Sequence, residues 1–159
     1  MKTRSLNDIR KTLLDKEPHE LTALCVRMAR HKKENKELLD YLLYESADEA
    51  GYIAGVKEEM EQLLAEVFYN NAYRYTKQIR KVLRFANKQI KYSGEPATQA
   101  ELLIHFCTML QPVLAKTSCP TAVKTLYEQQ FKKIETAISK LHEDLQYDYL
   151  KPMQALRRF

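Results

Sequence analysis

The spacing of hydrophobic residues predicts α-helix along the whole chain. Apolar residues recur every three or four positions, and no stretch shows the strict apolar–polar alternation of a half-buried strand. Three glycines and five prolines are few for a turn-rich β-fold. The pattern predicts helices near 5–15, 18–30, 33–45, 47–68, 71–91, 97–115 and 119–145, with a turn or short helix from there to the end.

Residues with defined roles at helix ends set these boundaries. Three hydroxyl residues stand three positions before an acid, which is the spacing of a capping box: Ser5, Ser46 and Thr98. Three prolines stand where a first helical turn tolerates them: Pro18, Pro96 and Pro120. Gly94 is a typical helix stop, and Pro112 predicts a kink or an end in the sixth helix. The polar run RHKKENKE favours a turn near 31–33, although 18–45 also fits one long helix.

The order and lengths of these helices predict an all-α fold with a single domain over 1–159. Because short turns imply antiparallel neighbours, we expect antiparallel helical hairpins stacked as an irregular, HEAT/armadillo-like right-handed superhelix. A compact multi-helix bundle is the alternative. The helix at 97–115 is apolar around most of its circumference, so it belongs in the middle of the fold. The helix at 119–145 carries its apolar residues in one stripe: Val123, Leu126, Tyr127, Phe131, Ile134, Ala137, Ile138, Leu141 and Leu145.

One part of the sequence resembles a known family. The segments ELTALCVRMARHKKENKELLDYLLYES (20–46) and AGYIAGVKEEM (50–60) are similar to the N-terminal half of a small all-helical bacterial protein family with no assigned activity. The likeness consists of apolar spacing and the block KKENKELLDYLL. It implies an all-α fold and assigns no catalytic residue.

Cysteine usage and hydropathy predict a soluble cytoplasmic protein without a membrane span. The chain has three cysteines, an odd number without a CxxC pair, which argues against a disulfide framework. Cys25 and Cys107 lie on apolar faces, where core thiols are expected. The basic N-terminus is not followed by an apolar stretch, unlike a secretory signal. The most apolar window, 102–115, is too short to cross a bilayer.

Charge is distributed unevenly between two consecutive segments. Residues 41–66 hold seven acids and a single base, Lys57, whereas residues 67–94 hold seven bases and no acid. At about 100° per residue, all seven bases of the second segment fall within roughly one third of a helix circumference. These bases are Arg74, Lys77, Arg80, Lys81, Arg84, Lys88 and Lys91, and Tyr73 lies within the same arc.

This basic face has several interpretations. A row of cations can neutralise phosphates of a nucleic acid, and Tyr73 could stack on an unpaired base. A basic amphipathic helix can also lie on an anionic membrane or contact an acidic protein. The structural interpretation is that the bases are solvated or are paired with the acids of an antiparallel helix at 47–68. Those acids are scattered around their helix, so they cannot all meet a narrow basic face.

Gly51 and Gly55 are one turn apart on the fourth predicted helix. Each costs about 1 kcal/mol of helix propensity relative to alanine. Two small residues on one side of a helix often permit close approach of another backbone. The pair therefore predicts close packing against a helix of the same chain or a contact in a dimer.

Residue patterns typical of catalysis are weak. The carboxylates of 45–59 lack the ExxH pairs of a di-metal bundle, and Glu101 with His105 forms a lone pair that is typical of an ordinary polar contact. Cys119 precedes a helix start, where a thiolate can be stabilised, but no histidine lies nearby in sequence to act as a base. We therefore assign no catalytic residue, no metal site and no cofactor.

The sequence establishes a fold class and leaves the function open. The leading hypothesis is a non-enzymatic helical scaffold that binds another macromolecule, with protein as the first choice of partner. The alternative is a nucleic-acid-binding domain that uses the basic face of 71–91. A metal- or thiol-dependent enzyme is the third hypothesis, and a homo-oligomer is an open alternative for quaternary structure.

Overall fold

The computed structural model of the chain describes residues 2–65, 72–116 and 119–156. This part of the protein is helical almost throughout and contains no strand, which confirms the all-α prediction. Its helices are α1 (Leu6–Leu14), α2 (Pro18–His31), α3 (Lys33–Asp40), a π-helix (Tyr41–Glu45), α4 (Glu49–Ala65), α5 (Ala72–Ser93), α6 (Pro96–Leu114), α7 (Thr121–Ile138) and α8 (Glu143–Ala155).

The helices are organised in two compact units. The first ends at Tyr44 and contains α1 to α3, and the second begins at Glu45 and contains α4 to α8. In the first unit α2 packs against α3, and Asn35 Nδ2 donates to the Met28 carbonyl at 2.9 Å. The prediction of one domain over 1–159 stays a prediction.

Capping interactions explain where the helices begin. Ser5 is the N-cap of α1, as predicted, because its Oγ accepts from the Asp8 amide at 3.2 Å. At α4 the cap is Asp48 and not Ser46, since the Asp48 carboxylate accepts from the Gly51 amide at 3.0 Å. Thr98 is not a cap either: it lies buried inside α6, which already begins at Pro96.

Backbone conformation explains where the helices end. Lys32 is extended, with φ −143° and ψ 147°, so 18–45 is interrupted near 31–33 as the polar run indicated. Gly94 ends α5 with φ 74°, a left-handed conformation that glycine adopts without a Cβ clash. Pro112 is accommodated within α6, which ends two residues later at Leu114.

The predicted helix at 119–145 is wrong only after residue 138. Helix α7 ends at Ile138, and α8 begins only at Glu143, with His142 as its N-cap. Glu143 and Asp144 lie in the first turn of α8, where negative charge stabilises a helix start. Leu145 is consequently exposed and not part of the buried stripe. The stripe residues that are buried all precede the break: Val123, Tyr127, Phe131, Ile134, Ala137 and Ile138.

Helix α6 lies at the centre of the second unit, as its apolar circumference predicts. It packs against α4, α5, α7 and α8. Its buried side chains include Leu102, Leu103, Phe106 and Leu110, each at most 1% exposed. Helices that are neighbours in sequence pack against each other in both a multi-helix bundle and a stacked superhelix. The observed packing is therefore consistent with both predicted architectures.

Candidate functional site

Helix α5 presents two chemically different faces. Its apolar side is buried in the core of the second unit, where α5 packs against α4, α6 and α7. Ile79, Val82 and Ala86 on this side are each 0% exposed. Since the bases occupy the opposite arc, burial of the apolar side directs them outward.

The bases of α5 are solvent-exposed with one exception. Six of them are exposed: Arg74, Lys77, Arg80, Lys81, Arg84 and Lys91. Lys88 is half-buried, and its ammonium lies 6.0 Å from the centre of the Tyr92 ring, at the limit of a cation–π contact. Tyr73, at the start of the helix, is 76% exposed. The structure thus brings the predicted residues together on one surface, which we call the basic face.

Most of the basic face is not neutralised by carboxylates of the same chain. Among the residues that the structure describes, five bases have no carboxylate within the 4.0 Å distance of an ion pair: Lys77, Arg80, Lys81, Arg84 and Lys91. For these five, pairing with the described acids of α4 is excluded. They are solvated cations.

The acids of α4 and its start are engaged elsewhere or point to solvent. Glu49 accepts from the hydroxyls of Ser93 and Thr98, and Asp48 caps its own helix. Glu61 lies beside His105, with 3.2 Å between Oε1 and Nε2 but without hydrogen-bond geometry. Glu58 and Glu59 are exposed. Of the other two acids in 41–66, Glu45 is exposed and Glu66 lies outside the described residues.

A second polar cluster connects α4, α6 and α8. Glu101 accepts from Lys57 at 2.8 Å and from the Tyr149 hydroxyl at 3.1 Å. Burial and the charge of Glu101 raise the pKa of Tyr149 to about 12. Burial lowers the pKa of His105, and the charge of Glu61 opposes that effect. Glu101 and His105 therefore have different partners and do not form a ligand pair. Sequence reasoning missed this cluster because its members are 44 to 48 residues apart.

The three cysteines lie in different surroundings. Cys107 is buried, as predicted, and burial raises the pKa of its thiol to about 12. Cys25 was predicted to be a core thiol but is exposed, because α2 buries no side chain. At Cys119, burial raises the pKa of the thiol and Lys124 opposes this only in part. A stabilised thiolate at the start of α7 is therefore not found.

The two glycines of α4 do not approach another helix of the described chain. Both are exposed, and a Cβ on Gly55 would have no atom within 4 Å. The atoms nearest to a Cβ on Gly51 would belong to the side chain of Asp48, one turn away. Close packing of Gly51 and Gly55 against another helix of the same chain is therefore not found among the described residues. A contact with a second copy stays a prediction.

The first unit carries an apolar groove that sequence reasoning did not single out. It has a volume of about 140 Å³ and is lined by side chains from α2, α3 and the π-helix: Cys25, Met28, Ala29, Asn35, Leu38, Leu39 and Leu42. The sequence did contain one signal for this groove, because the apolar residues of 18–45 share one helical phase. A single long helix would have presented them as one stripe, whereas the turn at Lys32 folds them into two walls.

Two further types of site are not found in the described part of the protein. None of the helices in 2–65, 72–116 and 119–156 combines the length and hydropathy that a membrane span requires. Within the same ranges, no three His, Cys, Asp or Glu residues are grouped so that they could hold a metal ion.

No family model, no curated protein and no solved structure matches the chain. The resemblance of 20–46 and 50–60 to a helical family stays an expectation.

Proposed function

We propose that this protein is a helical scaffold that binds another protein through the apolar groove of its first unit. The observation that carries the proposal is a contrast in burial. No side chain between Lys2 and Asp40 is buried, whereas the core residues lie later in the chain. Of the fifteen large apolar side chains that are exposed in the described residues, eleven lie before residue 45. Exposed apolar surface concentrated in one segment is typical of a protein interaction site.

The shape of the groove favours one amphipathic helix as the occupant. Two helices supply its walls, and the hydrogen bond from Asn35 to the Met28 carbonyl fixes the turn between them. A helix can place its apolar ridge between such walls, with anchors at every third or fourth residue. The groove is formed without the partner, so little ordering of the first unit opposes binding.

Charge around the groove specifies the partner further. The connection between α2 and α3 and the adjoining helix ends carry four exposed bases, Arg30, Lys32, Lys33 and Lys36. Of these only Lys33 pairs with a described acid, Glu37, at 3.6 Å. We therefore propose a partner helix with acidic residues at the end that lies against this connection. We place the interaction in the cytoplasm, in keeping with three free thiols.

Site-specific photo-crosslinking in living cells tests the proposal. A photoreactive amino acid replaces Met28, which lines the groove, and in a matched control it replaces Val26, which is also exposed on α2 but lies outside the groove. We expect position 28 to crosslink to one defined protein and position 26 to give only background. The substitution Leu38→Asp should abolish the crosslink from position 28.

Two results would contradict a partner protein. Equal crosslinking from positions 26 and 28 would show that the groove has no selectivity. A crosslinked product with the mass of two copies of this chain would assign the groove to self-association instead.

A further inference from the structure

We infer that the basic face of α5 binds the phosphate backbone of nucleic acid. This inference is independent of the proposed protein partner, because it rests on a different helix in the second unit. It rests on the composition of the exposed surface of α5. Apart from Tyr73 and Asn87, every residue of 73–93 that is exposed is a lysine or an arginine.

The arrangement of the unpaired cations suits a linear polyanion. Lys77 and Lys91 are fourteen residues apart, so at 1.5 Å per residue the row is about 21 Å long. Arg80, Lys81 and Arg84 lie between them, also exposed and without a described carboxylate partner. A row of this kind can contact several successive phosphates and release their condensed counterions, which is the main source of sequence-independent affinity.

Burial of the apolar side argues against a membrane surface as the ligand. An interfacial helix must insert its apolar face into the lipid. In α5 that face is already used, because Ile79, Val82 and Ala86 are fully buried in the core. Between Arg74 and Lys91 the helix therefore exposes no apolar side chain that could insert into a membrane.

The exposed surface also argues against an acidic protein. Protein interfaces have a core of apolar and aromatic side chains and are depleted in charge at that core. Between Arg74 and Lys91 the exposed residues of α5 include no apolar side chain. A ligand with closely and regularly spaced charges, such as a phosphate backbone, matches this surface better.

Fluorescence anisotropy with the full-length chain tests the inference. The probe is a fluorescein-labelled single-stranded DNA of mixed sequence, about 30 nucleotides long, and salt is raised from about 50 to about 200 mM. If the five unpaired cations each neutralise a phosphate, the logarithm of affinity should fall with the logarithm of salt at a slope of about −3.5. This slope corresponds to a loss of about 100-fold over that range.

Matched variants separate the basic face from net charge. Lys77→Gln with Lys81→Gln removes two cations from the face, and Lys132→Gln with Lys133→Gln removes two exposed cations from α7. The first pair should reduce the slope to about −2, since each lost contact contributes about 0.7, and the second pair should leave it unchanged. Arg80→Glu with Arg84→Glu should abolish binding without lowering the melting temperature.

Three outcomes would overturn the inference. The first is the absence of binding even at the lowest salt. The second is an equal loss of affinity in both lysine pairs, which would show a general effect of net charge. The third is displacement of the DNA by poly-glutamate as efficiently as by unlabelled DNA, which would assign the face to an acidic protein.

Discussion

Lys57 Nζ lies 2.8 Å from Glu101 Oε2, and this ion pair joins α4 to α6 over 44 residues of sequence. The other oxygen of Glu101 accepts from the Tyr149 hydroxyl. One carboxylate of the central α6 thus connects this helix to α4 and α8. Both charged side chains keep about a third of their surface exposed, so water screens the pair and its contribution to stability is limited.

A double-mutant cycle between Lys57→Met and Glu101→Gln should measure that contribution. We expect a coupling free energy of about 0.5–1 kcal/mol, because the pair is partly solvated. Glu101→Gln should cost more than Lys57→Met, since it also weakens the bond from Tyr149. Urea denaturation of the four proteins gives the values. Additive single effects would show that the two groups do not interact in solution.

Thr98→Val should destabilise the protein by about 1.5–3 kcal/mol, the range for a hydrogen bond to a charged group. Thr98 is 0% exposed, and its hydroxyl donates to the Glu49 carboxylate. Thr108→Val is a suitable control, because Thr108 lies on the same helix but is exposed and bonds only the Ile104 carbonyl. Thermal or urea unfolding should show a change below about 0.5 kcal/mol for the control. Similar effects of both substitutions would contradict this assignment.

Stability should decrease as pH falls below about 6.5, the ordinary pKa of histidine, because of His105. Burial lowers its pKa in the folded state, so below this pH the unfolded chain binds more protons than the folded chain does. The loss levels off once pH falls below the folded pKa. Urea unfolding at several pH values should show a smaller dependence in His105→Gln. An unchanged dependence would assign the effect to other groups.

Tyr73→Leu should distinguish single-stranded from duplex DNA if the basic face binds nucleic acid. Tyr73 is exposed at the start of the basic face, where its ring can stack on an unpaired base. Loss of one stacked base corresponds to about tenfold weaker single-strand binding, with duplex binding unchanged. The same anisotropy assay with both probes provides the comparison. A conservative Tyr73→Phe variant should retain affinity, because stacking needs the ring and not the hydroxyl.

Gly55→Ala should stabilise the protein by about 0.8–1.0 kcal/mol through helix propensity, since the new methyl group enters open space. Gly51→Ala should gain less, because its Cβ would displace the Asp48 carboxylate that caps α4. Differential scanning calorimetry at two protein concentrations checks both. If Gly55→Ala instead destabilised the protein only at high concentration, the predicted contact with a second copy would be supported.

Local signals in the sequence were sufficient for most of the helices and for the composition of the basic face. Ser5, Gly94 and the polar run around Lys32 mark boundaries through short-range chemistry, and this chemistry is visible in the sequence. The break at 139–142 was missed because it contains neither glycine nor proline. Long-range partners could not be predicted at all. Glu49, for example, is one of the acids that could have paired with the bases of α5. It accepts a hydrogen bond from Thr98 instead, and this contact depends on how α4 and α6 pack.

The basic face also has a consequence for how the fold responds to ionic strength. Lys77 and Lys81, and likewise Arg80 and Arg84, are like charges one helical turn apart, an arrangement that destabilises a helix by about 0.2–0.5 kcal/mol per pair. Helix α5 therefore carries internal repulsion, which the buried apolar side offsets. Added salt screens this repulsion and should strengthen the fold, although the same salt weakens binding of a polyanion. Stability and nucleic-acid affinity are thus expected to change in opposite directions as ionic strength rises.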